Sequence, residues 1–317
     1  MDLKVLYYLA RLRPLSAWSG VGLLIGLAFS VWAGGLGIDW GLIIPAAIVV
    51  VLIQYVAHPM NDVVDYPVDV LANIGGTGRH KPLISGLATR DELMWLTTAI
   101  LCIVSILSTY IIIREPLAAI FGLVGITVLI AYNLPPLKLS YKPFSEVFID
   151  IPASIGIVMG ITTVAVHVII PQTFFLGLVF GLMVLSFHAG YFLMDVQSDL
   201  WGGKVSTFVK YPYTEWCVMY PLLGCFMSLM LAVVYNNRVF VFPAAFFVAQ
   251  AVLGHKMHEV RFRYHLVTER AVSEAKLKEW TDTATRMRKV LVTQMNVSLI
   301  FGLVFAAAII LFGVVSP

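Results

Sequence analysis

The chain has 317 residues, 60% of them hydrophobic and only 12% charged, with a mean hydropathy of +0.90. A soluble domain carries roughly 25% charged residues, so this composition excludes an ordinary water-soluble globule and points to a lipid solvent. The net charge of +3 is not gathered into a basic stripe interleaved with aromatics, which argues against a nucleic-acid partner. Cys102, Cys217 and Cys225 stand in apolar stretches at no metal-ligand spacing and read as packing residues.

The first 16 residues hold Asp2 and an Arg11-Leu-Arg13-Pro14 turn without a small-residue cleavage site, so they are expected to stay attached and lie along the membrane interface. Apolar runs follow near 17–35, 40–60, 93–113, 116–134, 147–170, 173–195, 213–236, 239–254 and 291–315. A spanning helix needs about 20 apolar residues, so the expected fold class is an all-α membrane protein with nine transmembrane helices. The eighth run is short, and its helix is expected to continue past Gly254. The polar stretch 255–289 mixes Arg, Lys and Glu with Phe262, Tyr264, Leu266, Val267, Leu277 and Trp280 and reads as an amphipathic interfacial insert before the last helix. Nine crossings place every Lys and Arg except Arg114 and Arg238 on one side. Basic residues collect on the cytoplasmic side, so the N-terminus is expected there.

Two acidic clusters close runs on that same side: Asn61-Asp62-Val-Val-Asp65-Tyr-Pro-Val-Asp69 and Asp195-Val-Gln-Ser-Asp199. Carboxylates at membrane depth are costly and point to function; the alternative is helix-end side chains reaching into water. At ~100° per residue, Asn61, Asp62, Asp65 and Asp69 fall within an arc of ~100° on one helix, a face that repels itself unless cations are bound. Each cluster runs into a glycine-bearing loop that delivers a lysine, Gly75-Gly76-Thr-Gly78-Arg79-His80-Lys81 and Gly202-Gly203-Lys204. Two readings stand: the halves are parallel pseudo-repeats facing one cavity, or two loops are alike by chance. The Gly75–Gly78 stretch is either a flexible linker or a place where backbone N–H groups approach phosphate.

Mg2+ is usually held by one or two carboxylates together with phosphate oxygens and water. Two opposed carboxylate faces flanked by Lys and Arg would suit a diphosphate bridged by Mg2+, and neutralisation would make that diphosphate a good leaving group. A polyisoprenoid attached to it would need the apolar tunnel that a helix bundle supplies.

In chain order, Asn61-Asp62-x-x-Asp65-x-x-x-Asp69, Lys81-Pro82-Leu83-Ile-Ser85-Gly86, Tyr132-Asn-Leu-Pro135-Pro136-Leu-Lys138 and Asp195-x-x-x-Asp199 resemble the UbiA superfamily of intramembrane prenyltransferases, over about residues 10–255. The resemblance implies one transmembrane prenyltransferase domain across 1–317, with helices around a central cavity. It implies Mg2+-dependent ionisation of a polyprenyl diphosphate and transfer of the prenyl group to a small aromatic or lipid acceptor, an aromatic quinone precursor first of all. Asn61, Asp62, Asp65 and Asp69 would form the first metal and diphosphate motif, and Asp195 and Asp199 the second. Lys81, Arg79, Tyr132, Lys204 and either Lys138 or Lys142 would bind substrate. The family commonly has Arg-Pro-Leu where this chain has Lys81-Pro82-Leu83, and its Tyr-x-x-x-Lys is not present literally, so phosphate binding there becomes a point-charge contact unless Arg79 takes over. A glyceryl-lipid or tetrapyrrole acceptor, a terpene cyclase with no acceptor, and a phosphoribosyl transferase fall within the same superfamily. An ion-coupled transporter, a different class, would carry its carboxylates nearer the midplane.

His188 and Tyr191, seven and four residues before Asp195, share its helical face; they border the cavity or pack on a neighbouring helix. Asp150 enters the fifth span after Glu146 and either orients the acceptor or takes its proton, or else bonds to another helix. His255, His258 and Glu259 offer a ligand triplet on one turn, or are solvated groups beside the membrane.

Overall fold

A computed structural model describes residues 3–74, 81–262 and 273–314, and every regular element among these is a helix. In hydrocarbon each backbone N–H and C=O must find its partner inside the segment, so each apolar run folds as a helix. In order they are α1 (Leu3–Ala10), α2 (Leu12–Gly34), α3 (Trp40–Val64), α4 (Tyr66–Ile74), α5 (Arg90–Arg114), α6 (Ala118–Asn133), α7 (Ser145–Val166), α8 (Gln172–Gly202), α9 (Trp216–Val234), α10 (Val241–Phe262) and α11 (Glu274–Phe312). Their starts follow the local sequence: Asp39 caps α3, Ser273 caps α11, and Thr89 with Glu92 forms a capping box on α5.

Eight helices, α2, α3, α5 and α7 to α11, are long and apolar enough to cross a bilayer, which makes this an integral multi-pass membrane protein. The fourth predicted span gives only the 16 residues of α6, about 24 Å of helix against a hydrocarbon core of about 30 Å. Its end is set by Leu134, which lies before Pro135 and is extended (φ −111°, ψ 149°), as the residue before a proline prefers to be. The eighth predicted helix does continue past Gly254, to Phe262.

The polar stretch 255–289 divides differently from the expected interfacial insert. Its beginning belongs to α10, and 274–289 is the first part of α11, continuous with the last span. Trp280, Ala284 and Met287 are buried there, and the Trp280 ring meets Trp201 of α8 edge-on at 5.4 Å. The N-terminal segment also does more than rest on a surface: Val5 and Leu9 are fully buried, packed with Ala88 and Leu93 beside the α5 start.

The axis of the bundle is α8, which touches α2, α4, α7, α9, α10 and α11. Small residues let its backbone approach α7: a Cβ on Gly177 would stand 2.6 Å from Ile155 Cα. Lipid offers no hydrophobic drive for helix association, so close packing and polar bonds must supply it. Gln250 on α10 donates to Gln294 O (2.8 Å) and Ser298 Oγ (3.0 Å) on α11. Glu146 on α7 accepts from Thr207 Oγ1 (2.8 Å) and from the Tyr220 hydroxyl of α9 (3.0 Å). Opposite α8, helices α3, α5 and α6 form a thinner wall, and a cavity of about 1310 Å3 lies between.

Candidate active site

Both acidic clusters reach one mouth of that cavity. The helix face expected to carry the first is broken inside the motif: α3 stops at Val64, Asp65 caps it, and α4 starts at Tyr66. Across the break the Asp65 N–H still donates to Asn61 O (2.8 Å) and the Asp69 N–H to Asp65 O (2.9 Å). The i, i+4 register therefore survives, and Asn61 Nδ2 donates to Asp65 Oδ2 (2.9 Å). Asp195 and Asp199 stand one turn apart near the end of α8. Gly203 ends that helix at φ 71°, a conformation open to glycine, and the Lys204 N–H then folds back onto Asp199 O (2.9 Å).

That turn aims the Lys204 ammonium at Asp65 Oδ2 (3.2 Å) and Asp199 Oδ1 (3.8 Å), so one cation ties the first cluster to the second. Lys81 holds the matching place in the first half, paired with Asp69 and 3.9 Å from Asp62 Oδ1. Arg11 adds a third cation, 2.9 Å from Asp62 Oδ1. It is held at φ 40° between α1 and α2, a left-handed conformation that costs a non-glycine residue about 1–2 kcal/mol.

Burial and charge set the titration of the groups at the membrane edge. Burial pushes Asp69 up to about 6, and Lys81 offsets only part of this. Burial also raises Asp65, but Lys204, Lys81 and the Asn61 amide overcome it and hold the carboxyl below its usual range. For Lys204 burial works downward, and Asp199 and Asp65 reverse it, keeping the amine charged. The Tyr141 hydroxyl is raised by burial, with Asp65 adding to the effect.

Four carboxylates thus share three cations, with Asp195 beside them. Asp62, Asp65, Asp69 and Asp199 are at most 5% exposed, and each keeps one buried oxygen with no hydrogen-bond partner: Asp62 Oδ2, Asp65 Oδ1, Asp69 Oδ2 and Asp199 Oδ2. Leaving a buried acceptor unsatisfied costs about 1–3 kcal/mol, more when it is charged. A hard, oxygen-seeking cation such as Mg2+ fits these atoms. Among the described residues no three His, Cys, Asp or Glu side chains form a ready-made cage, which suits an ion that fills most of its positions with phosphate oxygens and water.

Of the residues singled out in the sequence, Asn61, Asp65, Asp69, Lys81, Tyr132, His188, Tyr191, Asp195, Asp199 and Lys204 all line the cavity. Asp62 lies behind them, anchoring Arg11 and Lys81. Lys138 sits 3.6 Å over the Tyr141 ring and Lys142 is exposed; neither lines the cavity. Arg79 and the Gly75–Gly78 stretch fall outside the described residues. Asp150 is fully buried and bonds to His188. His255 pairs with Glu259 at 3.5 Å on the exposed side of α10, while His258 turns to Thr214. Sequence reasoning missed Arg11, Arg13, Arg288 and Trp18, which also line the cavity. No local pattern marks them, because distant helices bring them there. Most of the remaining lining is apolar, with Val50, Ile53, Val104, Ile126, Ile157 and Val164 among its side chains and Ser105 and Ser108 of α5 as polar exceptions.

The molecule is thus a bundle of membrane helices with opposed carboxylates at the mouth of one chamber. The UbiA prenyltransferase family matches residues 22–275, and the chain belongs to it: the protein is a prenyltransferase. No curated protein matches the chain. A UbiA homologue from Archaeoglobus fulgidus, solved with GPP and Mg2+, is 14% identical, with 95% of this chain and 99% of that one covered at a TM-score of 0.57. The same homologue solved with DMAPP and Mg2+ gives 14%, 95%, 99% and 0.58. A digeranylgeranylglyceryl phosphate synthase is 16% identical over 93% of this chain and 98% of its own, at 0.56. At such identities the likeness is one of fold.

Proposed function

We propose that this prenyltransferase binds a polyprenyl diphosphate with Mg2+ at the acidic mouth, lays its hydrocarbon tail along the apolar depth, and passes the prenyl group to an aromatic quinone precursor. The observation that carries this reading is a cavity that joins charged side chains at one end to apolar ones beyond it. Asn61, Asp65, Asp69, Asp195 and Asp199 would hold Mg2+, with Asp62 behind them. When bound, Mg2+ would neutralise the diphosphate and stabilise charge on its departing oxygen. Lys81, Lys204 and Arg11 would turn from their carboxylates to phosphate oxygens. The apolar wall keeps water from the ionised prenyl group, and the rings of Tyr132, Tyr191 and Trp18 offer it their negative faces.

The whole chain would act as one domain. Helix α6 would complete nine crossings, and the distribution of Lys and Arg would place the N-terminus and the mouth in the cytoplasm. Lys81 and Lys204, in matching places after the two clusters, support two parallel pseudo-repeats.

The test is incubation of the detergent-purified protein with labelled geranylgeranyl diphosphate, Mg2+ and, in turn, 1,4-dihydroxy-2-naphthoate, 4-hydroxybenzoate and geranylgeranylglyceryl phosphate, with products identified by mass. Prenylation of an aromatic acid is expected. Product from the glyceryl phosphate alone would move the acceptor to a lipid, and failure to release diphosphate in any mixture would overturn the reading.

A further inference from the structure

Two turns before Asp195 on α8, His188 lines the same cavity. Its Nδ1 lies 2.8 Å from Oδ1 and 2.9 Å from Oδ2 of Asp150 on α7. With Asp150 ionised, the carboxylate only accepts hydrogen bonds, so a neutral His188 would carry its proton on Nδ1 and keep the lone pair on Nε2. Trp18, Tyr191 and Phe192 surround the imidazole, with ring centroids 5.7, 6.1 and 4.9 Å away, and hold its orientation. The side chain remains 18% exposed. Beside it the Trp18 Nε1–H is buried without a partner, a donor for a second oxygen of a bound molecule. Neither His188 nor Asp150 is among the groups assigned above to Mg2+ or the diphosphate.

We propose, resting on the prenyl-transfer reading above, that His188 Nε2 is the base that takes the proton from a hydroxyl-bearing acceptor, a phenol or enol, with Asp150 as its positioning residue. In that step the allylic C–O bond breaks and its electron pair leaves on the diphosphate oxygen. The acceptor's ring carbon or hydroxyl oxygen supplies the pair for the new bond to the prenyl carbon. The proton it gives up goes to Nε2, and Asp150 balances the imidazolium charge. The two sites divide the work: the acidic mouth handles the leaving group, and the His188–Asp150 pair handles the nucleophile.

The test compares wild type with His188→Ala, His188→Gln and Asp150→Asn, using geranylgeranyl diphosphate, Mg2+ and 1,4-dihydroxy-2-naphthoate. One readout is transfer; the other is the rise in Tm on adding inorganic pyrophosphate with Mg2+, which reports the mouth alone. A general base contributes roughly 10²–10⁴-fold, so both His188 variants should lose kcat by that factor while keeping the pyrophosphate response. Imidazole in the buffer should restore part of the rate to His188→Ala and none to His188→Gln, whose side chain fills the space. Asp150→Asn should lower kcat with KM unchanged.

A His188→Ala enzyme within about tenfold of wild type, a loss that imidazole leaves untouched, or a loss of the pyrophosphate response in the variants would overturn the assignment. Wild-type protein that responds to pyrophosphate yet leaves the naphthoate unprenylated would overturn it for aromatic acceptors. Wild-type protein with no pyrophosphate response would instead overturn the underlying prenyl-transfer reading.

Discussion

In α8, 83% of the most apolar stretch is buried inside the protein, whereas in α3 and α5 the share is 22%. Glycines divide along the same line. A Cβ on Gly254 of α10 would meet Cys217 O at 2.0 Å, while Gly122 and Gly125 of α6 have nothing within 4 Å and line the cavity. The block around α8, with α2 and its Gly22 packed on Phe180, uses small residues to bring helices together; α6 uses them to leave room. Yet both halves deliver carboxylates to one mouth. A rigid block and a thin wall can share one site because the charged groups sit at the helix ends where the two meet.

The sharpest way to break this comparison is to remove one carboxylate from each half. Asp65→Ala and Asp199→Ala should each reduce turnover by about 10³-fold or more, read as diphosphate release in detergent with Mg2+ and folding checked separately. If either variant kept most of its rate, one half alone would suffice. Next is the cation that joins them. Lys204→Met should cost roughly 10²-fold in kcat/KM, and more than Lys81→Met, since Arg11 also serves Asp62 beside Lys81.

Packing sharpens the contrast further. Gly254→Ala should lower stability by about 1–3 kcal/mol through overpacking, whereas Gly122→Ala should stay within about 0.5 kcal/mol; thermal unfolding in one detergent compares the two. Equal effects would remove the distinction between block and wall.

A further effect concerns pH. Asp69, raised from 3.8 to about 6, keeps its proton in the folded chain after the unfolded chain has lost it. Its contribution to stability is therefore complete below about pH 4 and disappears as pH rises through about 6. Asp65, held below its usual value, acts in the opposite sense, losing stability as pH falls below about 4. Asp69→Asn should flatten the decline in Tm between pH 4 and 6 without ligand, a difference of at most about 3 kcal/mol. An unchanged slope would show that Asp69 is not the group responsible.

Helices, acidic clusters and the lysines that follow them were legible because each is a local property. Hydropathy over some 20 residues decides whether a segment can live in lipid, and turn chemistry such as Gly203 acts on adjacent residues. The extension of α10 past Gly254 was readable in the same way. The short α6, the break at Asp65 and the merging of 274–289 into α11 were not. They depend on where the chain is stopped or seized by its neighbours, as Trp280 is by Trp201.

What the amino-acid order determined by itself was therefore an inventory: membrane-spanning helices, two sets of carboxylates, and the lysines that answer them. Only the tertiary structure decided the partnerships. Arg11 reaches Asp62 across 51 positions, Asp150 reaches His188 across 38, and Lys204 reaches Asp65 across 139. A charged side chain pairs with whatever opposite charge the packed helices place within a few ångströms, and that proximity is set by crossings between distant segments rather than by any short stretch of sequence.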